Sequence, residues 1–181
     1  MSDYNIYSET IPDRMSKSDT SEKVEYPEKL IITIDKVDNP TVGEIIKTVR
    51  LYILQCKRSG VNPDVILNFC VGYSEGDSHK YIQNYITLAE YIHNIMQTDD
   101  SLGMMVFVRG NFLSCFIPLL FIGIPVHVTK YTYIEEFNLV ESDKYYKGVV
   151  ERFIEGLGHK IQRPLVIGEQ EMIKQNLIIK N

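Results

Sequence analysis

Apolar positions along the chain alternate between two periods, and the alternation predicts repeated β-α units. Short apolar runs over Leu30–Ile34, Asp64–Val71, Met104–Val108 and Val126–Tyr133 have the length and β-branched content of strands. Between them the spacing shifts to three and four residues, predicting helices over Thr41–Ser59, Ser78–Gln97 and Phe112–Ile122. A further helix over Lys144–Leu157 carries Val149, Val150, Phe153, Ile154 and Leu157 on one face, and a last helix is expected near Glu169. Near-continuous apolar strands separated by helices argue for an α/β fold with mainly parallel sheet and right-handed crossovers. The first helix has a start signal in Asp38 to Glu44, with Thr41 as the cap and Glu44 three residues on.

Residues 1–28 break from this pattern. They are rich in Ser, Asp, Glu and Lys and poor in aliphatic residues, so they are expected to form a flexible or partner-ordered arm ahead of one domain spanning 29–181. Tyr4, Ile6, Tyr7 and Ile11 could dock on a neighbouring subunit. No internal repeat is visible.

The stretch Met104 to Pro125 carries the most chemistry. Its strand breaks at Arg109-Gly110-Asn111 and resumes as a helix that Gly123 and Pro125 stop. Ser114 then falls in the first helical turn, where unpaired N–H groups can stabilise charge developing on a bound carbonyl oxygen. That placement suits an acyl-transfer nucleophile, while a plain helix cap is the competing explanation. A membrane span fits poorly, because Arg109, Gly110, Asn111 and Pro118 divide the run into pieces shorter than the ~20 apolar residues a bilayer needs.

Composition narrows the function classes. The 181 residues, 44% of them hydrophobic, suffice for one core. A net charge of −5 with no basic stripe argues against nucleic acid as partner. Cys56, Cys70 and Cys115 lack zinc-ligand spacing, so no metal is expected; no cofactor motif is visible either. The three isolated cysteines read as reduced core thiols in a cytoplasmic protein. No secretory signal or anchor is evident at the N-terminus.

The residues from Gly110 to Gly123 resemble the serine segment of Clp-type proteolytic subunits, Gly-x-Ala-Ser-Met-Gly followed by apolar residues, Leu-Leu and Gly. Ser114 falls on the nucleophile, and Gly110, Leu119, Leu120 and Gly123 match without gaps. Val65 to Gly72 is similar to the strand that leads into the family's oxyanion loop, and Tyr81 to Met96 to its first large helix. Gly168 to Ile178 is similar to the ending shared by Clp proteases and the crotonase superfamily. The resemblance implies a ClpP/crotonase-like fold, with Ser114 as nucleophile and the Cys115 backbone amide as one oxyanion donor. It also implies an oligomer, peptide substrates and engagement of an ATP-dependent unfoldase.

Departures from the family are equally specific. Its histidine position falls near Glu135, whereas His127 comes earlier on the same predicted strand and is the first choice among His79, His93, His127 and His159. No carboxylate occupies Lys160 to Pro164, where the orienting acid belongs. The loop Tyr73 to His79 lacks Pro-Gly-Gly, leaving Gly72 or Gly76 to present the second oxyanion amide. Loss of base and acid costs on the order of 10⁴-fold or more in rate, so impaired or absent catalysis is implied. Arg109 could pair with Glu135 or Glu136 and fill the emptied space. The stretch from Phe137 to Pro164 is short for the family's handle, which argues against its usual ring-on-ring assembly. Three readings follow: a serine peptidase with a displaced base, a pseudoenzyme that assembles with itself or with a related subunit, and, more remotely, a crotonase-like acyl-CoA enzyme.

Overall fold

A computed structural model describes residues 29–72, 78–134, 137–138, 144–160 and 166–180. The expected arm, residues 1–28, lies outside them, as do Gly76, Glu135, Glu136 and residues 161–165. Five parallel strands form one sheet in the order β1 (Leu30–Ile34), β2 (Asp64–Phe69), β3 (Gly103–Val108), β4 (Val126–Val128) and β7 (Ile179–Lys180). A two-stranded antiparallel ribbon pairs β5 (Phe137–Asn138) with β6 (Val166–Ile167). The helices are α1 (Asn39–Ser59), α2 (Ile82–Thr98), α3 (Lys144–Gly156) and α4 (Glu169–Lys174). Two 3₁₀ segments, Ser78–Tyr81 and Ser114–Phe121, complete the set. The α/β reading therefore holds, with a parallel main sheet. No helix among the described residues is long and apolar enough to cross a membrane.

Local chemistry sets the helix ends. α1 starts at Asp38, not Thr41: the Asp38 carboxylate accepts from the Thr41 backbone N–H at 3.0 Å, and Pro40 occupies the first turn, where a missing N–H costs nothing. Gly60, at φ 68°, ends the helix in the left-handed region, and the Val61 N–H reaches back to the Cys56 carbonyl at 3.0 Å. Ser114–Phe121 is a 3₁₀ helix and not the expected α-helix over Phe112–Ile122. Pro118 supplies the reason, since it has no N–H for the Ser114 carbonyl and its ring would clash there in an α-helix. β4 also ends earlier than predicted, at Val128, where Thr129 and Thr132 close a turn.

Register sorts side chains onto two sheet faces. Ile32, Leu67, Val106 and Val126 form one row of the buried face, and Ile34, Phe69, Val108 and Val128 form the next. Against them pack α2 and the Ser114 helix through an aromatic cluster, with Phe69 4.7 Å from Phe116 and Phe116 5.1 Å from Tyr85 between ring centroids. α3 lies against the same two helices and buries Val150, Phe153 and Ile154 there. Its apolar face is thus used inside the chain.

Candidate functional site

The chain leaves β3 under tight constraint. The Arg109 N–H donates to the Phe69 carbonyl and the Asn111 N–H to the Val71 carbonyl, both at 2.8 Å. Gly110, between them, lies so close to β2 that a Cβ there would sit 2.1 Å from the Val71 carbonyl oxygen. Phe112 then forms a parallel bridge with Ile134, its N–H donating to the Tyr133 carbonyl at 2.7 Å. Leu113 is extended, and Ser114 opens the 3₁₀ helix. The strand, glycine turn and serine-headed helix therefore occur in the expected order at the carboxyl end of the sheet. That edge is where parallel α/β sheets bind ligands.

Ser114 is 3% exposed. Its hydroxyl lies 2.6 Å from the hydroxyl of Ser78, which is itself buried at the start of the turn leading into α2. The two serines are 36 positions apart, a pairing with no sequence signature. Close to the pair, Cys115 is buried and its backbone N–H lies in the first 3₁₀ turn beside Ser114. Gly72 is exposed, three residues past the end of β2, and among the described residues no atom lies within 4 Å of the position a Cβ would take. Gly76 falls outside the described residues.

Sequence reasoning also passed over Tyr85. Its side chain is fully buried between Phe69 and Phe116, and its hydroxyl has no hydrogen-bond partner among the described residues. Burial holds the phenol well above the ordinary tyrosine range, and nearby Cys115 and Asp38 push in the same direction. The residue looks like plain helix core at helical spacing, and only the assembled aromatic cluster reveals the stranded hydroxyl.

The structure does not bring His127 to Ser114. Val126 and Val128 face the helices, so the alternation of β4 turns His127 to the opposite side of the sheet, where its ring stacks on Phe107 at 4.8 Å. His159 is held at the far end of the Ser114 helix: its Nε2 donates to the Phe121 carbonyl at 2.9 Å, about 14 Å from Ser114 at 2 Å of rise per residue. His93 lies on α2 some 16 Å along the axis from the helix start. His79 follows Ser78 in the short turn, its backbone beside the serine pair. Arg109 is exposed, and the two glutamates expected to meet it lie outside the described residues. Among the described residues no group of three His, Cys, Asp or Glu side chains could hold a metal.

An apolar cavity of about 340 Å³ exists elsewhere, between the carboxyl ends of α1 and α2, lined by Ile46, Arg50, Ile53, Tyr91 and Ile95. Ser114 meets the opposite, amino end of α2, so the cavity is not part of the serine site. Comparison with protein-family models, curated proteins and solved structures gave no match.

Proposed function

We infer that this chain is a Clp-like subunit whose serine site does not hydrolyse peptide bonds, a pseudoenzyme that retains the fold in order to assemble with copies of itself or with a related subunit. The observation that carries this reading is the buried Ser114–Ser78 pair at 2.6 Å, with His127 on the other side of the sheet, His159 bonded to the Phe121 carbonyl, and His93 about 16 Å along α2 from its start. A serine hydroxyl attacks only when a base takes its proton, and a second hydroxyl is far too weak a base at neutral pH. What the pair does supply is a satisfied buried contact tying the amino end of the Ser114 helix to that of α2. The serine survives, in this reading, as a structural bond.

Labelling with a fluorophosphonate probe at neutral pH, with the adduct located by mass spectrometry, tests it. The expected result is no Ser114 adduct on the folded protein, indistinguishable from Ser114→Ala. An adduct confined to Ser114 would overturn the pseudoenzyme and establish an activated nucleophile. The base would then be sought first at His79, next to the serine pair in the chain.

A further inference from the structure

α1 and α2 lie side by side, and the cleft between their carboxyl halves is built from one stripe of each helix. On α1 the stripe is Ile46, Arg50, Ile53 and Leu54, at helical spacing; on α2 it is Tyr91 and Ile95. Its floor is apolar. Ile53 is buried and Ile95 half-buried, while Leu54, 44% exposed, stands at the rim. Polar groups gather toward the two ends. At one, Lys57 of α1 and Asp99 just past α2 close the cleft with an ion pair at 3.0 Å, so their charges offset each other. Toward the other, Arg50 and Tyr91 approach from opposite helices. Partial burial raises the Tyr91 phenol above the ordinary tyrosine value and the Arg50 guanidinium opposes that rise, the electrostatic mark of two close groups. Arg50 has no ion pair among the described residues. The cleft is therefore an apolar volume of about 340 Å³ with one uncompensated cation at its mouth, in a chain whose net charge is −5. Ligand pockets have this composition, mostly apolar walls with a few convergent polar groups that fix orientation.

We propose that the cleft binds a medium-chain carboxylate, its alkyl tail laid along Ile53, Leu54 and Ile95 and its carboxylate held by the Arg50 guanidinium and the Tyr91 hydroxyl. Charge complementarity selects the head group. A carboxylate accepts from both donors, and Arg offers it a matching fork, whereas an ammonium head would face the guanidinium. The same logic sets the direction of the tail. The reverse orientation would bring the carboxylate to Asp99 and to the carboxyl ends of both helices, where partial negative charge gathers. From Arg50 to Lys57 the cleft runs about 10 Å along α1 at 1.5 Å of rise per residue, the length of a medium-chain tail. The inference does not rest on the reading of the serine site, since Ser114 meets the amino end of α2.

Titration of decanoate into the full chain, with the isoleucine δ1 methyl groups labelled and followed by NMR, tests the site. Saturable shifts are expected at Ile46, Ile53 and Ile95, with a dissociation constant on the order of 1 mM or tighter. Ile66, on the other side of the sheet, should not shift, and decylamine should not reproduce the saturation. Arg50→Gln, at an exposed position that leaves the fold intact, is expected to weaken decanoate about fivefold. Shifts that do not saturate, or that appear equally at Ile66, mark indiscriminate apolar association and overturn the inference. Equal affinity for decylamine overturns it too, as does an Arg50→Gln variant that binds decanoate like the wild type. A cleft already filled by another part of the chain excludes decanoate, and that absence of binding is equally an overturning result.

Discussion

A single missing methyl group governs the approach to Ser114. Gly110 has to pass over the end of β2, where a Cβ would lie 2.1 Å from the Val71 carbonyl oxygen, and that oxygen is itself held by the Asn111 N–H. Neither partner is a flexible side chain that could swing away, so the backbone must move. Gly110→Ala is expected to destabilise the protein by about 1–3 kcal/mol or more, read from urea denaturation midpoints. Gly72→Ala, with nothing among the described residues within 4 Å of the added Cβ, should stay within about 0.5 kcal/mol. Equal effects at the two glycines would show that the turn is not packed as described. The contrast separates a glycine kept for close approach from one whose surroundings would admit a side chain.

Among the elements, α3 is the one whose apolar face had two possible partners. A free amphipathic helix in this position would be an assembly surface, yet Val150, Phe153 and Ile154 are buried against α2 and the Ser114 helix. Ile154→Ala should therefore cost about 2–5 kcal/mol of folding stability in the isolated chain. If instead the stability is unchanged and only the oligomer mass falls, the face serves an interface. The same packing explains the place of His159, whose bond to the Phe121 carbonyl anchors the carboxyl end of α3 to the tail of the 3₁₀ helix.

For the molecule as a whole, buried tyrosines set a limit at alkaline pH. Burial and the neighbouring Cys56 thiol raise Tyr52 from the ordinary value of 10.0 to about 12, although the Asp64 N–H, donating to its hydroxyl at 3.4 Å, pulls the other way. Tyr85 is raised in the same direction. A phenol whose pKa is higher folded than unfolded binds its proton more tightly in the native state. Its contribution is complete below pH 10.0 and is lost as the pH rises toward about 12. Denaturation midpoints measured across that range should fall steadily, and Tyr52→Phe should reduce the slope. A flat profile in the wild type would contradict the burial of both phenols.

Much of this fold is written in local order. Period-two runs and helical spacings located β1 to its exact residues, α1 to within two, α2 to within four, and the strand-glycine-serine sequence at Ser114, because such patterns depend only on neighbours along the chain. The substitution of a 3₁₀ helix for an α-helix was also legible in principle, at Pro118. The two-residue strands β5, β6 and β7 were not, since so short a strand exists only by virtue of its partner. Nor could alternation along β4 say which of its two faces the helices would cover, and that choice removed His127 from the serine. The Ser78–Ser114 bond and the stranded Tyr85 hydroxyl both arise where strand order and crossover hand bring distant residues together. Sequence periodicity determined which residues share a face; only the tertiary arrangement decided what each face meets, because contacts between elements are set by packing in space and not by spacing along the chain.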